Sequence, residues 1–210
     1  MDGLLVDTEP LWTIAENEIC ARFGGVFTAE AKAAMVGHRL DSAVPLLVEH
    51  LARQGLTEVT PELVVAGLLG RMLTLFDGEL PLLPGALELL AACAGRGLPS
   101  ALVSSSYRSL VDAVLARLPD GTFVASIAGD EVIHAKPHPE PYLTAAARLG
   151  VSPGECLVLE DSPTGMRSGL AAGCQAVMVP SVRGVEVDPA WTVVGSLVEL
   201  SLDDLAGARS

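Results

Sequence analysis

Three short polar segments of the sequence carry side chains that could handle a phosphoryl group. They are Ser104–Ser106, the run Lys136-Pro137-His138-Pro139, and the pair Glu160-Asp161. Hydroxyl and ammonium groups can bind phosphoryl oxygens, and two adjacent carboxylates form the hard, oxygen-rich site that Mg2+ prefers. Together these residue types predict magnesium-assisted phosphoryl chemistry.

Each segment also has an ordinary structural interpretation. Serines between a strand and a helix are commonly N-caps, an acidic pair ahead of a helix compensates its dipole, and most lysines lie in solvent. Lys136 is, however, one of only two lysines in the chain, and prolines stiffen its loop. The histidines have no HExxH or comparable spacing, so we expect none of them to bind metal. They are His38, His50, His134 and His138.

The elements that must position these groups follow from the apolar pattern after Leu83. Short apolar runs at 101–103, 123–127, 156–159 and 176–179 alternate with helical segments. This alternation indicates parallel strands that are covered on both faces. Ligands of such sheets bind beyond the carboxyl ends of the strands, where the polar segments lie. The predicted fold class is α/β, with a doubly wound parallel sheet.

Residues 10–80 have a helical pattern instead. Apolar side chains recur at i, i+3, i+4 and i+7 from Val44 to Leu51, which is one buried stripe. Thr60-Pro61 is a typical N-cap and first-turn pair. We therefore predict a helical cap at residues 10–80, inserted into a core domain made of residues 1–9 and 81–210.

The composition limits the partners of the chain. Among 210 residues, 13 Lys and Arg face 26 Asp and Glu, a formal net charge of −13. Such an acidic surface repels nucleic acid and anionic lipid, so we expect neither as a partner. Four scattered cysteines without a CxxC pair, no secretory signal and no long apolar segment favour a cytoplasmic protein. We expect a monomer that binds a small phosphorylated metabolite.

Further short motifs follow one another in a fixed order. They are Asp2-Gly3 with Asp7-Thr8-Glu9, Leu83-Pro84-Gly85, Ser104, Lys136-Pro137-His138-Pro139, and Leu159-Glu160-Asp161-Ser162 with Gly165, Ala172 and Gly173. In this order they resemble the haloacid dehalogenase-like phosphohydrolases over essentially the whole chain. The run Asp7-Thr8-Glu9-Pro10-Leu11-Trp12 and the small cap look like the branch that contains β-phosphoglucomutases and hexitol- and deoxyhexose-phosphate phosphatases. The resemblance implies a Rossmann-like core, Mg2+ as cofactor and an aspartyl-phosphate intermediate.

The resemblance also implies a role for each site residue. Asp2 is the general acid and base, and its main-chain carbonyl contacts Mg2+. Ser104 and Lys136 bind the phosphoryl oxygens, while Glu160 and Asp161 hold the metal. The candidates for substrate contacts are Thr8, Trp12, Arg39, Ser105 and Ser106.

Two of these substrate-binding candidates have alternative interpretations. Arg39 follows Gly37-His38 in a loop where the family places a substrate-contacting arginine, but a solvated surface arginine fits equally well. Trp12 stands where the mutases carry a histidine that assists proton handling, and its presence favours hydrolysis over mutase chemistry. The Trp12 ring could stack on a sugar face or pack between cap and sheet.

The nucleophile that the resemblance implies is not in the sequence. The family uses two aspartates two positions apart, and Asp2 matches the second of them, with Met1 as the spacer. The apolar first strand that precedes the pair in that family is not in the sequence either. We expect the coding sequence to extend upstream by about five to ten residues, the length of a strand. We also expect the 210-residue chain to lack phosphatase turnover.

The sequence thus predicts a magnesium-dependent phosphatase for a small sugar or polyol phosphate monoester. A β-phosphoglucomutase and a non-catalytic protein that binds phosphorylated ligands are the alternatives. A phosphoacceptor signalling receiver is disfavoured, because the acidic pair follows the lysine here and because that fold has no place for a helical cap.

Overall fold

The computed structural model describes residues 1–35, 39–181 and 187–203. The chain divides into two compact units. Thr8–Leu80 forms the helical unit, and Met1–Asp7 with Pro81–Ser210 forms the sheet unit. The predicted boundary between residues 9 and 10 lies two residues after the observed division at Asp7. None of the helices in the described ranges has both the length and the apolar content that a membrane span requires.

Four helices form the helical unit. Pro10 stands in the first turn of α1, and the Thr60 hydroxyl caps α4 by accepting a hydrogen bond from the Leu63 N–H at 3.4 Å. Both helix starts follow from residue types, because proline suits a first turn and threonine an N-cap. The helices are α1 (Glu9–Arg22), α2 (Ala29–Met35), α3 (Leu40–Arg53) and α4 (Pro61–Phe76).

The core of the helical unit is a set of apolar stripes at helical spacing. Val44, Leu47 and Leu51 of α3 are almost completely buried, as the periodicity predicted. The buried face of α4 repeats every fourth residue, at Val64, Leu68, Met72 and Phe76. One acidic side chain, Glu16 of α1, is also buried there, and it accepts a hydrogen bond from Lys32 at 2.8 Å.

The sheet unit contains five short strands in two parallel ladders. The elements are α5 (Ala86–Gly95), β1 (Ala101–Val103), α6 (Arg108–Leu115), β2 (Ala125–Ile127), α7 (Glu140–Leu149), β3 (Leu157–Glu160), α8 (Pro163–Ala171), β4 (Gln175–Met178) and β5 (Thr192–Val193). In one ladder β1 pairs with β2, and in the other β4 lies between β3 and β5. Helix α7 packs on β1 and β2, and α8 packs on β3 and β4.

These elements confirm the predicted α/β class with parallel strands, but the strand limits differ. β3 extends one residue past Leu159, so the Glu160 side chain is part of the strand and is buried. Within the described residues, β1 and β3 have no strand paired between them, so the parallel strands form two ladders.

The first seven residues form a tight turn beside residues 81–83. The Met1 carbonyl accepts hydrogen bonds from the N–H groups of Leu5 and Val6 at 2.8 and 3.1 Å. Asp7 N–H donates to the Pro81 carbonyl at 2.8 Å, and Leu83 N–H donates to the Leu5 carbonyl at 2.9 Å. These backbone bonds fix Asp2 and Gly3 within the sheet unit.

Candidate active site

The Asp2 carboxylate meets the serines that follow β1. Ser106 Oγ donates to Asp2 Oδ2 at 2.8 Å, and Ser104 Oγ lies 3.4 Å from the same oxygen. Ser104 is buried, and its N–H continues the strand ladder by donating to the Ile127 carbonyl at 2.9 Å. The Ser104 hydroxyl also accepts from the Ser106 N–H at 3.0 Å. The end of β1 therefore presents two hydroxyl groups to one carboxylate.

Lys136 and Glu160 form a buried ion pair at the ends of β1 and β3. Their side chains are only 8% and 6% exposed, and Lys136 Nζ donates to Glu160 Oε1 and, at 3.1 Å, to the Val103 carbonyl. Tyr142 Oη donates to the same Glu160 oxygen, and Ser162 Oγ donates to Glu160 Oε2 at 3.1 Å. Three further groups, the Val103 carbonyl and the hydroxyls of Tyr142 and Ser162, thus hold this carboxylate and ammonium in place.

The electrostatics of the pair follow from its burial. Burial acts to raise the pKa of Glu160, but the charge of Lys136 and the hydrogen bonds from Lys136 and Tyr142 outweigh it and lower the pKa. Burial, followed by the Glu160 charge, raises the pKa of Tyr142 well above its ordinary value. Glu160 therefore stays ionised and Tyr142 stays a hydrogen-bond donor.

Asp161 lies against the N-terminal turn. Its Oδ2 accepts from Ser181 Oγ at 2.8 Å, and a Cβ on Gly3 would fall 2.1 Å from that oxygen. Only glycine allows this approach, and Gly3 also has a positive φ of 69°. Burial and then the neighbouring Glu160 charge raise the pKa of Asp161, so its negative charge is poorly compensated.

A second glycine makes room for the acidic pair. A Cβ on Gly165 in α8 would lie 2.0 Å from the Glu160 carboxylate. The Gly165 N–H instead donates to Ser162 Oγ at 3.1 Å, which makes Ser162 the N-cap of α8. Ser162 therefore caps this helix and at the same time bonds Glu160 through its hydroxyl.

The structure brings together six of the predicted site residues in the sheet unit. Contacts join Ser104 and Ser106 to Asp2, and Lys136 to Glu160, whose neighbour Asp161 packs on Gly3. Ser105 lies between the two bonded serines, and its main-chain carbonyl is so close to Gly129 that a Cβ there would come within 2.2 Å. The carboxylates of Asp2, Glu160 and Asp161 do not form a three-ligand cluster within 4.8 Å in the described part of the chain.

The other predicted substrate contacts belong to the helical unit. Thr8 is buried at the start of α1, and Trp12 N–H donates to its carbonyl at 2.9 Å. Arg39 precedes α3 and pairs with Asp41 at 3.2 Å, while Gly37 and His38 before it lie outside the described residues. The substrate-binding roles of Thr8, Trp12 and Arg39 stay predictions.

Sequence reasoning missed two side chains of the site. Tyr142 is one of only two tyrosines and lies shortly after the Lys136 loop, which is a weak signal that could have been noticed. Ser181 follows β4, at the same end of the sheet as Asp161, but nothing around it in the sequence distinguishes it from other loop serines.

Comparison with known proteins decides the family. The family model of haloacid dehalogenase-like hydrolases matches residues 1–173. The chain belongs to the haloacid dehalogenase-like hydrolases. The resemblance inferred from the ordered motifs is therefore confirmed for this hydrolase.

Relatives of this hydrolase include named phosphatases. Hexitol phosphatase B of Escherichia coli (strain K12) is 35% identical over 99% of this chain and 94% of that protein. Fructose-1-phosphate phosphatase YqaB of the same organism is 32% identical over 85% of this chain and 93% of that protein. The solved structure of CbbY from Rhodobacter sphaeroides in complex with phosphate has a TM-score of 0.81 and 26% identity, covering 98% of this chain and 96% of that one.

Proposed function

We propose that this hydrolase is a magnesium-dependent phosphatase that acts on a small sugar or polyol phosphate monoester. The observation that carries the proposal is the buried Lys136 ammonium at the ends of β1 and β3. It bonds Val103, directly before the Ser104 hydroxyl that faces Asp2. In a chain with a net charge of −13, this local cation provides attraction for an anionic group.

Each group has a role that suits its surroundings. Ser104 and Lys136 bind the phosphoryl oxygens, because a hydroxyl and an ammonium group both donate hydrogen bonds to them. Asp2 acts as general acid and base, and the Ser106 hydroxyl orients its carboxylate. Glu160 and the Val103 carbonyl hold Lys136 in position, and Tyr142 holds Glu160.

The acidic pair fits a hard divalent cation. Glu160 and Asp161 are adjacent, and burial together with the Glu160 charge raises the pKa of Asp161, although the Ser181 hydrogen bond, the N-terminal ammonium and Lys136 act in the opposite direction. Glu160, Asp161 and the main-chain carbonyl of Asp2 are the oxygens that would hold Mg2+. When bound, the ion neutralises charge on the transferring phosphoryl group.

The reaction needs an aspartate two positions ahead of Asp2, a position outside the sequence. Its carboxylate attacks phosphorus, the bond from phosphorus to the ester oxygen breaks, and Asp2 gives that oxygen a proton. Water then attacks the aspartyl phosphate, Asp2 accepts the water proton, and inorganic phosphate leaves. Asp2 therefore returns to its starting protonation state after each turnover.

The substrate class rests on the relatives. Hexitol phosphatase B and fructose-1-phosphate phosphatase YqaB are named for phosphorylated polyols and sugars. We propose a substrate of that class for this chain. Thr8, Trp12 and Arg39, with Ser105 and Ser106, are its candidate contacts.

A matched pair of proteins tests the function. One carries an added apolar strand that ends in Asp immediately before Met1, and the other carries the same strand ending in Asn. We expect Mg2+-dependent phosphate release from a panel of sugar and polyol phosphates only with the Asp form, and we expect a chelator to abolish it. Isomerisation of β-glucose 1-phosphate instead of its hydrolysis would identify a mutase. Tight binding of substrate without turnover in both forms would identify a binding protein.

A further inference from the structure

Three side chains with metal-binding atoms lie together on the loop that carries Lys136, apart from the candidate active site. They are His134, His138 and Glu140, and one ligand atom from each lies within 4.8 Å of the others. In the ranges that the structure describes, this is the only group of three or more His, Cys, Asp or Glu side chains so arranged. Both histidines are exposed, so an ion has access from solvent.

The carboxylate of this group is fixed in place. Glu140 Oε1 accepts from the Ile133 N–H at 2.7 Å, and Oε2 accepts from the His134 N–H at 2.9 Å. The hydrogen bond from Ile133 and that from the His134 side chain lower the pKa of Glu140, which keeps it ionised. Hydrogen bonds that orient a ligating carboxylate are a regular feature of metal sites.

The two imidazole rings stand beside this carboxylate. Their centroids are 4.4 Å apart, His134 Nδ1 lies 2.8 Å from Glu140 Oε2, and the Glu140 N–H donates to His138 Nδ1 at 3.2 Å. Prolines at positions 137, 139 and 141 restrict the backbone between and after the rings. The three ligands are therefore partly preorganised, which lowers the entropic cost of binding an ion.

We propose that His134, His138 and Glu140 bind a transition-metal ion of the Zn2+ type, with water in the remaining coordination position. Two imidazoles and one carboxylate are donors that Zn2+ accepts, whereas Mg2+ prefers oxygen ligands such as Glu160 and Asp161. The prediction that no histidine binds metal rested only on the spacing of the histidines along the chain. An ion held here links both sides of Lys136, because His134 precedes it by two residues and His138 follows it by two.

Calorimetric titration with Zn2+ tests the site. The protein is saturated with Mg2+ so that the carboxylate pair is occupied, and one Zn2+ per chain should bind. His138→Ala and His134→Ala should each weaken Zn2+ binding by more than about tenfold, since even the loss of an outer-shell partner costs about 10 to 100-fold. His50→Ala, which removes a half-buried histidine of the helical unit, should leave Zn2+ affinity unchanged.

Two further measurements distinguish this site from the candidate active site. Asp161→Asn should retain Zn2+ binding, and Zn2+ should shift the ring NMR signals of His134 and His138 but not those of His50. Far-UV circular dichroism verifies folding, and Glu140→Gln serves as a milder variant that should also weaken binding. Zn2+ affinity equal to wild type in the two loop histidine variants, or no saturable binding by the wild type, would overturn the proposal.

Discussion

Replacing Lys136 by methionine tests the buried ion pair at the centre of the site. Lys136 supplies the one positive charge bonded to Glu160 in the part of the chain that the structure describes, and both side chains are nearly inaccessible. Lys136→Met keeps the volume but leaves a buried carboxylate without a cation. Breaking a buried pair in this way costs about 3–5 kcal/mol, so we expect the free energy of unfolding to fall by that amount at neutral pH.

The loss should depend on pH with a definite sign. In the wild type the pKa of Glu160 is depressed below its ordinary 4.5, so its stabilisation is present above that pH and is lost as the pH falls through the folded-state pKa. In the Lys136→Met variant the Tyr142 hydrogen bond and the N-terminal charge still lower that pKa, but both contributions of Lys136 are lost while burial, the largest influence, still raises it. We therefore expect the pKa to rise above its unfolded value, so the folded protein gains a proton before the unfolded chain does. The stability gap should therefore be widest at neutral pH and narrow in acid.

Urea unfolding followed by Trp191 fluorescence measures the difference in free energy of unfolding between the wild type and the Lys136→Met variant. A Trp12→Phe background removes the tryptophan of the helical unit, so the signal reports the sheet unit. Glu160→Gln on top of Lys136→Met should recover most of the loss, because a neutral amide no longer needs a cation. Arg96→Met, which breaks an exposed pair with Asp203, should leave the free energy of unfolding nearly unchanged. The reasoning is refuted if Lys136→Met costs no more than Arg96→Met, or if the gap stays constant with pH.

Three further substitutions probe the packing and charge around the pair. Gly165→Ala should lower the melting temperature and reduce the free energy of unfolding by about 1–3 kcal/mol, because the new Cβ would meet Glu160 at 2.0 Å. Gly70→Ala in α4 is the control: its Cβ would meet nothing within 4 Å, so it should stabilise the protein by up to about 1 kcal/mol. Tyr142→Phe removes a hydrogen-bond donor to the Glu160 carboxylate and should lower the free energy of unfolding in urea by about 1.5–3 kcal/mol. An unchanged urea midpoint would mean that this hydrogen bond contributes nothing to stability. Asp161→Asn should stabilise the metal-free protein at neutral pH, because a raised carboxyl pKa means that the ionised side chain destabilises the folded state. The same variant should lose the rise in melting temperature that Mg2+ gives the wild type. An equal rise in the variant would contradict the proposed role of Asp161 as a metal ligand.

The sequence indicates which side chains belong to the candidate site better than it indicates which of them contact one another. Ser104 and the acidic pair could be recognised because each follows a short apolar run, and strand ends of parallel sheets share one edge. Lys136 could be noticed because it is one of only two lysines and lies on a proline-rich loop. Helix limits at Pro61 and Phe76 were also predictable, since capping and apolar periodicity are local signals. These features depend on residues close together in the chain.

The contacts that were missed join distant segments. Tyr142 bonds Glu160 across 18 residues, and Ser181 bonds Asp161 across 20, and neither distance leaves a periodic signal in the sequence. The burial of Glu160 was missed for a related reason. A charged residue after an apolar run normally marks the end of a strand, but here Lys136 compensates its charge and allows the strand to include it.

The charge balance of the site supports the proposed role of a metal beside Lys136. Three carboxylates, those of Asp2, Glu160 and Asp161, stand against two ammonium groups, those of Lys136 and the N-terminus, so the ionised site has one excess negative charge. A phosphate monoester carries a charge of about −1.5 to −2 at neutral pH and is repelled by such a site. Glu160 is already paired with Lys136, and burial and then the Glu160 charge raise the pKa of Asp161. A divalent cation at the proposed Glu160–Asp161 site would remove this excess of negative charge, so we expect phosphate monoesters to bind more weakly when Mg2+ is removed.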